Sequence, residues 1–200
     1  MGRERFRDLL NKLRRTQQNR RRTALWVYGT RGYGKSHLLA ALVCYLAVRG
    51  ERVVYIPDCR ECLKSPVEYI QAAMLFAWAD DDDDNIQREI ISLDTQEKIR
   101  HFFRSNQKIL FVIDQMNGLA EMDGDDNQTR DRKGKVREWL DGCRASHKAI
   151  LSASANYKAY LQSSEMQNTE VTMRVYGGLT EVSLGKNNCF VNGIVLLTMI

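Results

Sequence analysis

Residues 27–42, VYGTRGYGKSHLLAAL, place three glycines within six positions, then a lysine and a serine, then an apolar run. Gly29, Thr30, Arg31, Gly32, Tyr33, Gly34, Lys35 and Ser36 match G-x-x-x-x-G-K-[ST] at every position. A loop that wraps a triphosphate turns its backbone N–H groups inward. That demands unusual φ/ψ values and no Cβ in the way, and glycine meets both demands. A helix opening at Lys35 adds the partial positive charge of its N-terminus. The lysine ammonium then reaches the β- and γ-phosphates, and the Ser36 hydroxyl is placed to ligate Mg2+. The cofactor-binding set read here is residues 29–36 with His37 in the first helical turn. No base-reading motif of the G-protein kind is evident, so ATP with Mg2+ is the default expectation.

The flanks supply the context this motif needs. TALWVYG (23–29) reads as a buried strand and KSHLLAALVCYLAVRG (35–50) as a buried helix closed by Gly50. RVVYIPD (52–58) is a second strand, ended by Pro57, and Ser65 before Pro66 caps a helix to about Ala79. The five aspartates at 80–84 read as a solvated loop. Helical pattern resumes at 86–91 and 95–103, where Asp94 and Glu97 have capping-box spacing. KILFVID (108–114) is a strand, 118–134 an acidic loop, and 136–143 a helix. AILSASA (149–155) and VTMRVYGG (171–178) complete the strands. Continuous apolar strands alternating with helices predict an α/β fold of three layers, a mostly parallel sheet covered on both faces.

A phosphate cradle needs an acid at the end of another buried strand, to hold the magnesium water shell. ILFVID supplies Asp114, so Ser36 and Asp114 are the expected metal ligands. One further strand, 52–58, falls between the motifs, which suits the AAA+-like P-loop ATPases with an additional strand. That class usually carries a glutamate directly after the aspartate. Here the position is Gln115, which orients water but accepts no proton. Turnover is therefore expected to be slow, or served by another acid such as Glu121. LSASAN ends its strand in small polar residues, which places Ser154 or Asn156 as a sensor of the γ-phosphate. The catalytic set is then Lys35, Asp114, Gln115 and Asn156. Arg130, Arg132, Arg137 and Arg144 are equivalent as arginine fingers, and none is assigned.

The net charge of +5 is uneven: residues 1–22 hold nine cations against Glu4 and Asp8, so they are +7 and the remainder is −2. Phe6, Leu9, Leu10 and Leu13 recur at helical spacing, so 4–15 reads as an amphipathic helix and 16–22 as a basic linker. Such an arm suits nucleic-acid phosphates or a nuclear-import patch. No apolar run approaches the roughly 20 residues of a membrane span, so no membrane partner is expected. Arginines stand where a secretory signal needs an apolar segment, and the chain reads as intracellular. Cys44 reads as a core residue, and the lone Cys59–Cys62 pair as reduced thiols rather than a zinc or redox site.

GTRGYGKSHLLAAL, RVVYIPDCRE, FVIDQMNGL and LSASANY, in this order, resemble the ATPase domain of Crinkler-type proteins. These occur in filamentous plant-associated microbes and are related to retrotransposon-hot-spot proteins. The phosphate loop is generic, whereas PDCRE and DQMN point to this family, in which Gln115 is a shared trait. The resemblance spans residues 23–183, with RVYGGLTEV near its end. It implies an AAA+-like or STAND-like ATPase core, often joined to a nuclease-like domain, in effectors exported to a host cell and its nucleus. No LFLAK-type header and no nuclease domain are visible, so secretion and DNA cleavage do not transfer.

The expected organisation is a basic helix and linker (1–22), an ATPase core (23–183) and an atypical tail (184–200). The helical lid of the class is missing after Ser183, and LGKNNCFVNGIVLLTMI (184–200) is expected to mark a truncation or a gene-model artefact. The expected function is Mg-dependent ATP binding and hydrolysis that drives a conformational change. The alternatives are a nucleotide-dependent switch with negligible turnover, or a nucleic-acid module using residues 1–22. Self-association into a homo-oligomer is compatible with each.

Overall fold

The computed structural model describes residues 2–19, 23–80, 84–106, 108–154 and 171–176. In chain order the elements are α1 (Gly2–Gln18), β1 (Ala24–Gly29), α2 (Lys35–Ala47), β2 (Val53–Ile56), α3 (Cys59–Lys64) and α4 (Pro66–Ala77). They continue with α5 (Asp84–Ile91), α6 (Gln96–Ser105), β3 (Leu110–Ile113), a 3₁₀ turn (Met116–Leu119), α7 (Asn127–Arg144), β4 (Lys148–Ser154) and β5 (Val171–Arg174).

Among the described residues the strands form one sheet in the order β2-β3-β4-β1-β5, with every pair parallel. β1 and β3 are buried at every position, as strands covered on both faces must be. Alternation along each strand divides the core in two. Trp26, Phe111 and Leu151 meet Ile70, Phe103 and Trp139 from the helices of one face. Leu25, Val27, Val112 and Ile150 meet Leu9 and Leu13 of α1 and Leu39 and Leu42 of α2 on the other. Burying each such side chain contributes about 1.5–3 kcal/mol.

The topology positions the site. From β1 the chain crosses to the far edge, returns through β3 and β4, and reaches β5 beyond β1. The helix leaving β1 packs on one face, while the one after β3 packs on the other. The loops diverge at the carboxyl ends of the strands, where ligands bind in open α/β sheets.

Several local expectations are corrected. The strand that separates β1 from β3 in space is β4, while β2 is an edge. Residues 59–64 form a helix missed in the sequence, capped by Asp58, whose carboxylate accepts from the Arg60 N–H. Pro66 opens α4 as expected, but Ser65 makes no side-chain cap bond. Thr95 rather than Asp94 caps α6, its hydroxyl accepting from the Lys98 N–H, while Asp94 pairs with the Lys98 ammonium. Half of the expected acidic loop is the start of α7, capped by Asp126. α1 runs longer than 4–15 and is no free arm, since Leu9 and Leu13 are core residues. Cys44 is exposed. Asn156, the run 155–170 and the tail from 177 lie outside the described residues, as do Asp81 to Asp83.

Candidate nucleotide site

The loop after β1 is set by its backbone. Gly34 stands at the N-cap of α2 in the left-handed region (φ 79, ψ 16), and no side chain caps the helix. The first N–H groups of α2 therefore face the loop without a side-chain acceptor, as an anion site requires. Gly32 also lies at positive φ (83), and a Cβ on either glycine would meet nothing within 4 Å among the described residues. Their requirement is conformational. Gly29 differs: a Cβ there would lie 1.8 Å from the Val175 carbonyl oxygen, because the chain leaving β5 hydrogen-bonds Tyr28 through the Val175 N–H. Thr30, Arg31, Tyr33, Ser36 and His37 are exposed around this mouth.

Lys35 turns back onto the loop, its ammonium donating to the carbonyls of Gly29 (2.9 Å) and Thr30 (2.8 Å). Burial lowers its pKa, and the negative charge of Asp114 opposes that shift. The two motifs thus feel one another across β4.

Asp114 is 1% exposed. Strand alternation puts it on the same face as Val112, the face covered by α2. One carboxylate oxygen accepts from the Gln115 N–H at 2.7 Å, while Oδ2 is buried with no hydrogen-bond partner among the described residues. A buried acceptor without a partner costs roughly 1–3 kcal/mol, so its retention asks for a ligand. A hard cation with oxygen ligands, such as Mg2+, fits that oxygen and the Ser36 hydroxyl chemically. Ser152 adds a second buried hydroxyl without a partner among these residues. Ile113 pairs with Leu151, so Ser152 is one step along from the level of Ile113, beside Asp114. The sequence offers Ser154 or Asn156 as the sensor and does not single out Ser152, because a serine inside a strand gives no signal of its own.

Gln115 faces elsewhere. Its backbone is left-handed (φ 57, ψ 41), and its side-chain oxygen accepts from the Arg60 guanidinium while its nitrogen donates to Pro57 O at 3.4 Å. Arg60 is itself held by Asp58, at 3.1 Å and 2.8 Å. Burial pushes the Asp58 carboxyl up, but the hydrogen bonds and charge of Arg60 outweigh it and leave the pKa lowered. The PDCRE and DQMN segments therefore pack on each other. Gly118 is pressed against Arg60, and Cys59 Sγ lies 4.0 Å from Met116 Sδ. Asn117 ties the turn to β4 by accepting from the Ser154 N–H at 3.4 Å.

The remaining candidates are apart from this cluster or engaged. Glu121 is exposed in the loop before α7. Arg132 donates to Lys64 O and Arg144 pairs with Asp141. Cys59 and Cys62 fill the core, where burial raises both thiols, that of Cys62 to about 12.

A strand, an open glycine loop and a helix, facing a buried acid across a parallel sheet, define a P-loop NTPase of the AAA+-like kind. The model of the NACHT domain family matches residues 23–173. The chain belongs to that family of P-loop NTPase domains. Comparison with curated protein sequences finds no match. Among solved structures the chain is similar to Drosophila ORC bound to DNA, with TM-score 0.55 and 14% identity over 86% of this chain and 43% of that one. It is also similar to Aeropyrum pernix ORC1 in complex with DNA, with TM-score 0.49 and 13% identity over 90% of this chain and 46% of that one. For AMPPCP-bound DnaA from Aquifex aeolicus the values are 0.41, 15%, 76% and 39%. The chain spans less than half the length of each of these proteins. At these identities the likeness establishes the fold alone.

Proposed function

We propose that this domain binds ATP with Mg2+ and hydrolyses it slowly, using the nucleotide to drive a conformational change. The observation that carries this reading is the buried Asp114 carboxylate. It faces α2 with one oxygen that has no hydrogen-bond partner among the described residues, within electrostatic reach of the loop lysine. The loop amides and the α2 N-terminus bind the phosphates, and Lys35 exchanges its two carbonyl partners for phosphate oxygens. Ser36 and Asp114 would hold Mg2+, which when bound neutralises phosphate charge. Gln115 orients water but takes no proton, and this keeps turnover low. Asn156 is retained as the expected γ-phosphate sensor.

Calorimetry with ATP, with and without Mg2+, tests the site. Heat is expected for the wild-type chain and none for Lys35→Ala. Folded wild-type protein giving no heat with millimolar MgATP would overturn the reading. Phosphate release measured alongside separates a slow ATPase from a pure switch.

The PDCRE and DQMN segments favour a Crinkler-type setting, in which the chain acts in a host nucleus. A fluorescent fusion excluded from plant nuclei would count against it. A second reading, contact with nucleic acid, rests on α1: its leucines are buried while Arg3, Arg7, Arg14 and Arg15 are exposed. Deleting α1 would remove core residues, so the test is Arg→Glu at 7, 14 and 15. Loss of DNA binding that also weakens with salt is expected.

A further inference from the structure

Ser152 stands inside β4, in neither phosphate-binding motif, and is wholly buried (0% exposed). Strand register fixes its neighbours. It is level with Val27 of β1. Ile113 is level with Leu151, so the next step along β3 and β4 sets Asp114 beside Ser152. Alternation decides the face: Ala149, Leu151 and Ala153 join one core and Ile150 the other, so Ser152 shares with Asp114 the face covered by α2. Both side chains are short of partners there. Asp114 Oδ2 and Ser152 Oγ are each buried with no hydrogen bond among the described residues, and so they do not bond each other. The hydroxyl is a donor and the ionised carboxylate only an acceptor, so the two complement each other. Adjacent strands lie roughly 4.8 Å apart, a spacing that one water spans with a hydrogen bond to each side. An alanine would fill nearly the same volume without a hydroxyl to desolvate.

We propose that Ser152 is a positioning residue for Asp114: its hydroxyl donates through one bridging water to Oδ2 and holds the carboxylate in the orientation that receives a divalent cation. The inference rests on the nucleotide-binding reading above and gives the buried acid a support that neither motif contains. The other Asp114 oxygen is already fixed by the Gln115 N–H, so the bridge completes the orientation of the group. A carboxylate oxygen has two lone pairs, and the second of Oδ2 stays open toward the cation. Ser154 differs. It is half-buried at the strand end, level with Gly29 of the phosphate loop, whereas Ser152 lies deeper and acts through the acid.

The test uses the full chain and the variants Ser152→Ala, Asp114→Asn and Ser152→Ala/Asp114→Asn. ATP affinity is measured by calorimetry in Mg2+ and in EDTA, turnover by phosphate release, and the melting temperature in both media. Ser152→Ala is expected to bind ATP in EDTA as the wild type does, while losing about tenfold of the affinity gained with Mg2+. Its melting temperature in EDTA should hold. In the Asp114→Asn background the serine change should make no further difference to binding or turnover, because it acts only through the acid. A crystal structure of the metal-free wild type should show one water within hydrogen-bond distance of both Oγ and Oδ2. Undiminished Mg2+ enhancement in Ser152→Ala, a further loss in the Asp114→Asn background, or no bridging water overturns the inference while ATP binding stands. A fall in the EDTA melting temperature and in both affinities together also overturns it, and makes Ser152 a purely structural residue. Absence of MgATP binding by the wild type would instead remove the nucleotide reading, and this support with it.

Discussion

The loop at residues 29–34 and the turn at residues 114–119 both sit at carboxyl ends of parallel strands, but they are held in opposite ways. Most of the loop is exposed, and no described residue crowds Gly32 or Gly34. Its shape comes from φ values that glycine adopts without cost. The turn is shut in: Asp114, Met116 and Leu119 are 1%, 4% and 1% exposed, and Arg60, Cys59 and Ser154 fix it from neighbouring segments. An open loop can reshape around a ligand, whereas a clamped turn can present only a few discrete arrangements. On the function proposed above, binding would fall to the first region and the control of chemistry to the second.

The contrast can be broken most severely at Gly29. Gly29→Ala drives a Cβ into the Val175 backbone, so a loss above about 4 kcal/mol is expected. That is more than about 10 °C in a thermal melt of a chain this size. Gly32→Ala meets no atom of the described residues, and it should cost only about 1–2 kcal/mol of stability while weakening MgATP binding. Equal melting points for the two variants would mean that the loop is sterically uniform.

Asp114→Asn asks whether the buried acid serves the ligand or the fold. Turnover should fall on the order of 10²–10³-fold, with the dependence of binding on Mg2+ lost, and thermal stability should hold or rise as a buried charge is removed. Destabilisation with Mg2+ dependence intact would make it a structural acid. Gly118→Ala sharpens the picture of the clamped turn: the nearest atom is the flexible Arg60 side chain, so about 1–2 kcal/mol is expected, with turnover altered more than affinity.

The smallest effect is a pH dependence beneath the clamped side, where His147 donates from Nε2 to Phe103 O at 2.8 Å and packs on Phe111. Burial lowers its pKa, with the hydrogen bond to Phe103 opposing the shift. As pH falls through about 6.5, the unfolded chain takes up the proton first. Stability is thus full above that pH and declines below it toward the lowered native value. The drop in melting temperature between pH 7.5 and 5.5 should be smaller for His147→Gln, and an equal drop would assign it to other groups.

The parts of the fold legible in the sequence are those whose cause is local. Apolar runs ending in glycine or an acid announce β1 and β3, and Pro66 announces α4. Cys44 was misjudged because α2 is apolar all round, so periodicity cannot say which face is buried. The start of α7 reads as a loop because NQTRDRKG is polar. It is helical because Asp126 caps it and Lys133 is fastened to Asp125 (2.7 Å) and Ala120 O (3.1 Å). The helix α3 carried a signal, Asp58 three residues before Glu61, that Pro57 obscured.

By itself the sequence determined that a phosphate-binding loop opens α2 and that an acid ends β3, since both follow from backbone freedom and hydrophobic pattern within a few residues. Only the tertiary structure decided that Gly29 answers to Val175, that β4 stands between the two motif strands, and that Gln115 faces Arg60. Those facts depend on groups brought together from tens to more than a hundred positions apart, and spacing along the chain carries no trace of a contact made across it.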